Sequence, residues 1–133
     1  MSFAIPETQR IILPALIPGG EPVIEEAPVP KPGENQVLVR VEFAPIHHSD
    51  ISALKGYTRI LGMEINPCGS EGSGIIVAVG PNLRTPHKIG EKVFITGPGT
   101  YSQYLVADSE KVQIIPEALP LDKAAAQFLN PAT

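Results

Sequence analysis

Glycine precedes the strand in the stretch Gly69-Ser70-Glu71-Gly72-Ser73-Gly74, which runs straight into Ile75-Ile76-Val77-Ala78-Val79-Gly80. A dinucleotide-binding fingerprint needs strand, glycine turn and helix in that order, so that the pyrophosphate meets a helix N-terminus. Here the order is reversed. The glycines read as a tight backbone approach feeding a β-branched strand, and that strand ends in the turn chemistry of Gly80-Pro81-Asn82.

The rest of the chain supports a sheet. From Gln36 to Phe43 the residues alternate, with Val37, Val39, Val41 and Phe43 on one face and Leu38, Arg40 and Glu42 on the other. Shorter strands are expected at Arg10 to Leu13, Val23 to Glu26, Gly74 to Val79, Lys92 to Thr96, Tyr101 to Val106 and Val112 to Ile115, each bounded by Pro, Gly, Asn or Asp. Seven short strands, 15 Pro, 12 Gly and no Trp predict a mainly β fold, a partly open barrel. Two helices are expected. Ser49-Asp50 caps a short one through Ile51, Ala53 and Leu54 that stops at Lys55-Gly56, and a terminal one runs from Leu121-Asp122 through Ala124 and Phe128 to Asn130-Pro131. At 133 residues the chain fits one domain, 1–133.

Several function classes are disfavoured by composition. A net charge of −4 without a basic stripe, and 5% aromatic residues, argue against nucleic acid as a partner. No apolar run approaches the ~20 residues of a spanning helix, and Met1-Ser2-Phe3-Ala4-Ile5-Pro6-Glu7 lacks the features of a secretory signal. The single Cys68 allows no internal disulfide, which fits a reducing, cytoplasmic location and leaves a mitochondrial one open.

The glycine stretch has company at a telling spacing. Upstream lie Pro32-Gly33-Glu34-Asn35-Gln36-Val37-Leu38-Val39-Arg40-Val41 and His47-His48-Ser49-Asp50; downstream lie Ile89-Gly90-Glu91-Lys92-Val93 and Thr100-Tyr101-Ser102-Gln103-Tyr104. Over about residues 9 to 133 this order resembles the N-terminal, GroES-like catalytic lobe of the medium-chain dehydrogenase/reductase superfamily. Among its branches it is most similar to the zinc-free quinone oxidoreductase and 2-enoyl thioester reductase group. The resemblance implies a GroES-like barrel that ends, near Asn130-Pro131-Ala132-Thr133, where a Rossmann domain would begin. No Rossmann fingerprint is visible in these 133 residues.

Two constellations bear on chemistry. His47, His48, Cys68, Glu71 and His87 are the residue types of a zinc site. In the zinc-dependent branch, however, a Cys stands three positions before the Asp matching Asp50, and a His directly precedes the Glu matching Glu71. Here those positions hold His47 and Ser70, the four-Cys structural lobe is absent, and no metal is expected.

The second constellation is the nicotinamide-side pocket that the resemblance implies: His47, Ser49, Asp50 and Thr133 as cofactor-binding residues, with His47 and Tyr57 as catalytic candidates. The cofactor carries the hydride chemistry, so donors that orient the ring and polarise the acceptor suffice. Tyr57 offers a phenolic hydrogen bond and His47 a proton near neutral pH. In the enoyl reductase group an Asn occupies the place of His47, and a Tyr lies eight residues after the Asp; Tyr57 lies seven after Asp50. Structural readings stand beside these: Tyr57 on a surface loop, His47 and His48 packing at a strand-to-helix junction, Asp50 as a helix N-terminal group, and Glu71 supporting the barrel.

The functional expectation is the substrate-side lobe of a zinc-free NAD(P)H-dependent reductase of the quinone or enoyl thioester type. NADP is its cofactor in a two-domain context, and the chain alone is expected to bind none and to be inactive. The expected partner is a Rossmann domain, or a second copy through the exposed C-terminal helix. The alternative is a stand-alone GroES-like protein-interaction module without catalysis.

Overall fold

The computed structural model describes residues 3–57, 68–116 and 118–120. Its elements run β1 (Thr8–Leu13), β2 (Val23–Pro28), β3 (Gln36–Phe43), α1 (His48–Leu54), β4 (Glu71–Val79), β5 (Lys92–Thr96), β6 (Tyr104–Asp108), a 3-10 turn (Ser109–Lys111) and β7 (Val112–Ile114). β1 and β2 form an antiparallel hairpin, and the other five strands form one antiparallel sheet in the order β6-β3-β4-β5-β7. The sheet curls into a half-barrel, the GroES-like architecture. The expected C-terminal helix lies outside the described residues. Among those residues no helix is long and apolar enough to cross a membrane.

All seven expected strands exist, and β3 and β5 match residue for residue. β4 differs instructively. It begins at Glu71, three residues earlier than expected, so Gly72 joins Gly74 as a strand residue. A Cβ on Gly74 would drive into the Arg40 carbonyl oxygen of β3, and one on Gly72 would stand 2.9 Å from the Phe43 carbonyl oxygen. Close approach was the right reading; the turn itself belongs to Gly69, at φ +100. The β3–β4 register slips between Val41 and Phe43, opposite these glycines.

β6 begins at Tyr104, three residues later than expected, because residues 101–103 bond sideways. The Ile12 N–H donates to the Tyr101 carbonyl (2.9 Å), the Gln103 N–H to Arg10 (3.3 Å) and the Val41 N–H to Gln103 (2.9 Å). These bonds stitch the hairpin to the sheet. The larger core cluster buries Val37, Val39, Ile76, Val93, Ile95 and Val112 together, and a second one is formed by Phe94 and Ile115.

The short helix is capped two residues earlier than expected. His47, not Ser49-Asp50, is the N-cap, and Asp50 at the third helical position reaches back so that its Oδ2 accepts the His47 backbone N–H at 2.8 Å. The stop falls as expected, with Gly56 at φ +84 donating its N–H to the Ala53 carbonyl.

Candidate functional site

The segment leaving β3 is fixed at three points before α1 begins. Tyr101 donates its hydroxyl to the Pro45 carbonyl at 2.9 Å, and the same hydroxyl lies 3.4 Å from Asp50 Oδ2. Asp50, itself buried, holds the His47 backbone N–H. The His47 ring is the third point: its Nε2 stands 2.6 Å from Glu71 Oε1. His47, Asp50, Glu71 and Tyr101 thus form one network where β3, α1 and β4 meet.

The electrostatics of the network follow from burial. Glu71 has no exposed surface, and its Oε2 has no hydrogen-bond partner among the described residues. Desolvation pushes its carboxyl above the usual carboxylate range; the His47 contact pulls it back, and the charge of Asp50 raises it again. Burial, reinforced by Asp50, also pushes the Tyr101 hydroxyl well above its ordinary value, so it stays a donor. The His47 side chain keeps 24% of its exposure. A buried carboxyl group therefore faces an imidazole that is still within reach from outside.

The expected residues are distributed unevenly around this network. His47 and Asp50 lie in it. The Asp50 carboxylate is engaged by the His47 backbone and the Tyr101 hydroxyl, which is the helix-terminal role. Tyr57 lies beyond the far end of α1, 44% exposed, with its hydroxyl over Gly19. Seven helical residues, about 10 Å of rise, separate it from the His47 end. The Ser49 side chain and Thr133 lie outside what is described.

The described zinc-type histidines lie apart. His47 meets Glu71, but His87 sits elsewhere, its Nδ1 3.1 Å from Glu91 Oε1 and its Nε2 2.9 Å from the Ser109 carbonyl. Among the described residues no three His, Cys, Asp or Glu groups are placed to hold a metal ion. The glycine stretch offers no phosphate cradle either, since β3 carbonyls occupy the space over Gly72 and Gly74.

Sequence reasoning did not single out Tyr101, and it took Glu71 for barrel support without its His47 contact. Both contacts are long-range, spanning 51 and 24 positions, and no local period encodes them. The one local signal was a Tyr between Thr100 and Ser102 in a stretch that reads as strand.

Comparison with known proteins places this geometry. Residues 33–117 match the alcohol dehydrogenase GroES-like domain. An alcohol dehydrogenase of Schizosaccharomyces pombe is 30% identical over 130 residues, covering 76% of this chain and 37% of that protein. Among solved structures, the quinone oxidoreductase from Coxiella burnetii superposes with a TM-score of 0.75 at 21% identity, covering 90% of this chain and 40% of that one. A mycobacterial protein solved in complex with NADPH gives a TM-score of 0.76 at 22% identity, covering 92% and 37%. The chain thus spans about two fifths of the length of these proteins. Family match and fold together show that it belongs to the alcohol dehydrogenase GroES-like domain family, the catalytic-lobe fold of the medium-chain dehydrogenase/reductase superfamily.

Proposed function

We propose that this chain is the substrate-side lobe of a zinc-free, NAD(P)H-dependent oxidoreductase that reduces a quinone-type acceptor or an activated double bond. The observation that carries the reading is His47, held by its backbone and its ring at the head of α1 while a quarter of its side chain stays open. Likeness to a quinone oxidoreductase and to an NADPH complex supports the reaction class. The nicotinamide, when bound, supplies the hydride; the pyrophosphate and adenosine ends belong to a Rossmann partner domain, and the described glycine stretch, filled by β3 carbonyls, leaves them no cradle.

What the chain's own residues do follows from their placement. His47 presents a ring nitrogen for hydrogen bonding or proton transfer to the acceptor oxygen. Tyr101 and Asp50 keep its backbone in place, and Tyr57 offers a second donor from the far end of α1. Ser49 and Thr133 are assigned to the cofactor's nicotinamide side by family position. Zinc is not part of the proposal, because Ser70 is a poor ligand and Glu71 Oε1 is taken by His47.

The test is NADPH oxidation by the full natural polypeptide with a quinone and with crotonyl thioester, beside calorimetric titration of this chain alone with NADPH. Turnover by the full polypeptide with no micromolar binding by the chain is the expected result. Absence of turnover with both acceptors overturns the reading, in favour of a non-catalytic interaction module.

A further inference from the structure

We propose that Glu71 is a positioning residue for His47, an internal carboxylate that fixes the tautomer and the orientation of the imidazole. This rests on the reading of His47 as the acceptor-side group.

Glu71 makes a poor structural strut. A buried carboxylate that merely knits a barrel together is expected to satisfy both oxygens, because each orphaned buried acceptor is costly. Among the described residues Glu71 Oε2 has no partner, and its Oε1 goes to one ring nitrogen of one partly open side chain. Burying it is therefore linked to where His47 sits. As the first residue of β4, Glu71 stands on a rigid strand paired to β5 through Thr96, so the carboxylate is a fixed reference point for the ring.

The same contact determines the proton. In its ionised form the carboxylate only accepts, so the Nε2 that faces it then carries the hydrogen, whatever the charge of the ring. Nδ1, the nitrogen on the capping-box side toward the Asp50 N–H, is then the unprotonated acceptor of the neutral ring. Independent bonds hold the backbone around it: Asp50 fixes the His47 N–H, and Tyr101 fixes the Pro45 carbonyl two residues earlier. With the backbone held and one nitrogen tethered, few ring rotamers remain, and pre-set orientation of this kind is what a proton-transfer group needs.

The experiment is a long-range proton–nitrogen NMR spectrum of histidine-labelled protein, for wild type, Glu71→Gln and Glu71→Leu. The expected result is the Nε2-protonated tautomer at His47 in wild type and in the Gln variant, whose amide oxygen still accepts, and a mixed tautomer in the Leu variant. His87 signals serve as the folding control, since that ring is held elsewhere. An unchanged His47 tautomer in a folded Leu variant overturns the proposal. If the Leu variant does not fold, wild type decides: an Nδ1-protonated ring overturns the proposal and an Nε2-protonated ring supports it. In the NADPH-oxidation assay of the full polypeptide, Glu71→Leu is expected to lower kcat at least about tenfold with KM for NADPH little changed, and Gln to restore most of it. No turnover in wild type strikes the functional reading alone, and the tautomer still decides the role of Glu71.

Discussion

Two histidine–glutamate pairs in this domain are built with opposite burial. In the His47–Glu71 pair the carboxylate is fully buried and the imidazole keeps 24% of its exposure; in the His87–Glu91 pair the imidazole is 1% exposed and the carboxylate 22%. His87 has acceptors at both ring nitrogens, Glu91 and the Ser109 carbonyl, so it ties the 87–91 turn to the 3-10 turn and has no atom left over. His47 has one nitrogen tied to the interior and a ring that opens outward. The same two residue types make a staple in one place and a candidate site in the other, and burial of the partner decides which.

Removing the more exposed partner of each pair separates them most sharply. His47→Ala strands the Glu71 carboxylate without its hydrogen bond, and is expected to cost about 2–3 kcal/mol in urea unfolding. Glu91→Ala leaves His87 bonded to Ser109 and loses one acceptor that also receives the Lys88 N–H; the expected cost is about 1 kcal/mol. Equal costs would mean that the difference in burial has no energetic consequence.

A smaller effect lies in the pH dependence. Folding raises the Glu71 carboxyl above its ordinary 4.5, so the folded state binds that proton more tightly than the unfolded chain. The associated stability is fully present below 4.5 and is lost as pH rises through the folded value. Wild type should therefore lose stability relative to Glu71→Gln as pH increases across that range. A wild type that instead gains stability relative to Glu71→Gln as pH rises would show a Glu71 carboxyl held below its ordinary value, with the His47 attraction outweighing desolvation.

Much of the barrel was legible because its signals are local. Alternation marks β3 from Gln36 to Phe43, and turn residues bracket β5 from Lys92 to Thr96. The start of β4 was placed three residues late because a glycine inside a strand looks like a turn until the partner strand is known; only the Phe43 carbonyl shows why Gly72 lacks a Cβ. The site was half legible. His47 and Asp50 lie three apart, within reach of local reasoning, although Ser49-Asp50 mimicked the cap and concealed that Asp50 caps backwards onto His47. The contacts from Glu71 and Tyr101 come from distant strands and loops, and the fold alone brings them in.

The most direct test of the account compares the two histidines in one assay. His47→Asn and His87→Asn are introduced separately into the full natural polypeptide, and kcat/KM for NADPH-dependent reduction of a quinone and of crotonyl thioester is measured for each. The account predicts a loss of about 10²-fold for His47→Asn, the size of a proton-transfer contribution, and a change within about threefold for His87→Asn once its folded fraction is allowed for. Equal losses, or a His47→Asn variant as active as wild type, would contradict it.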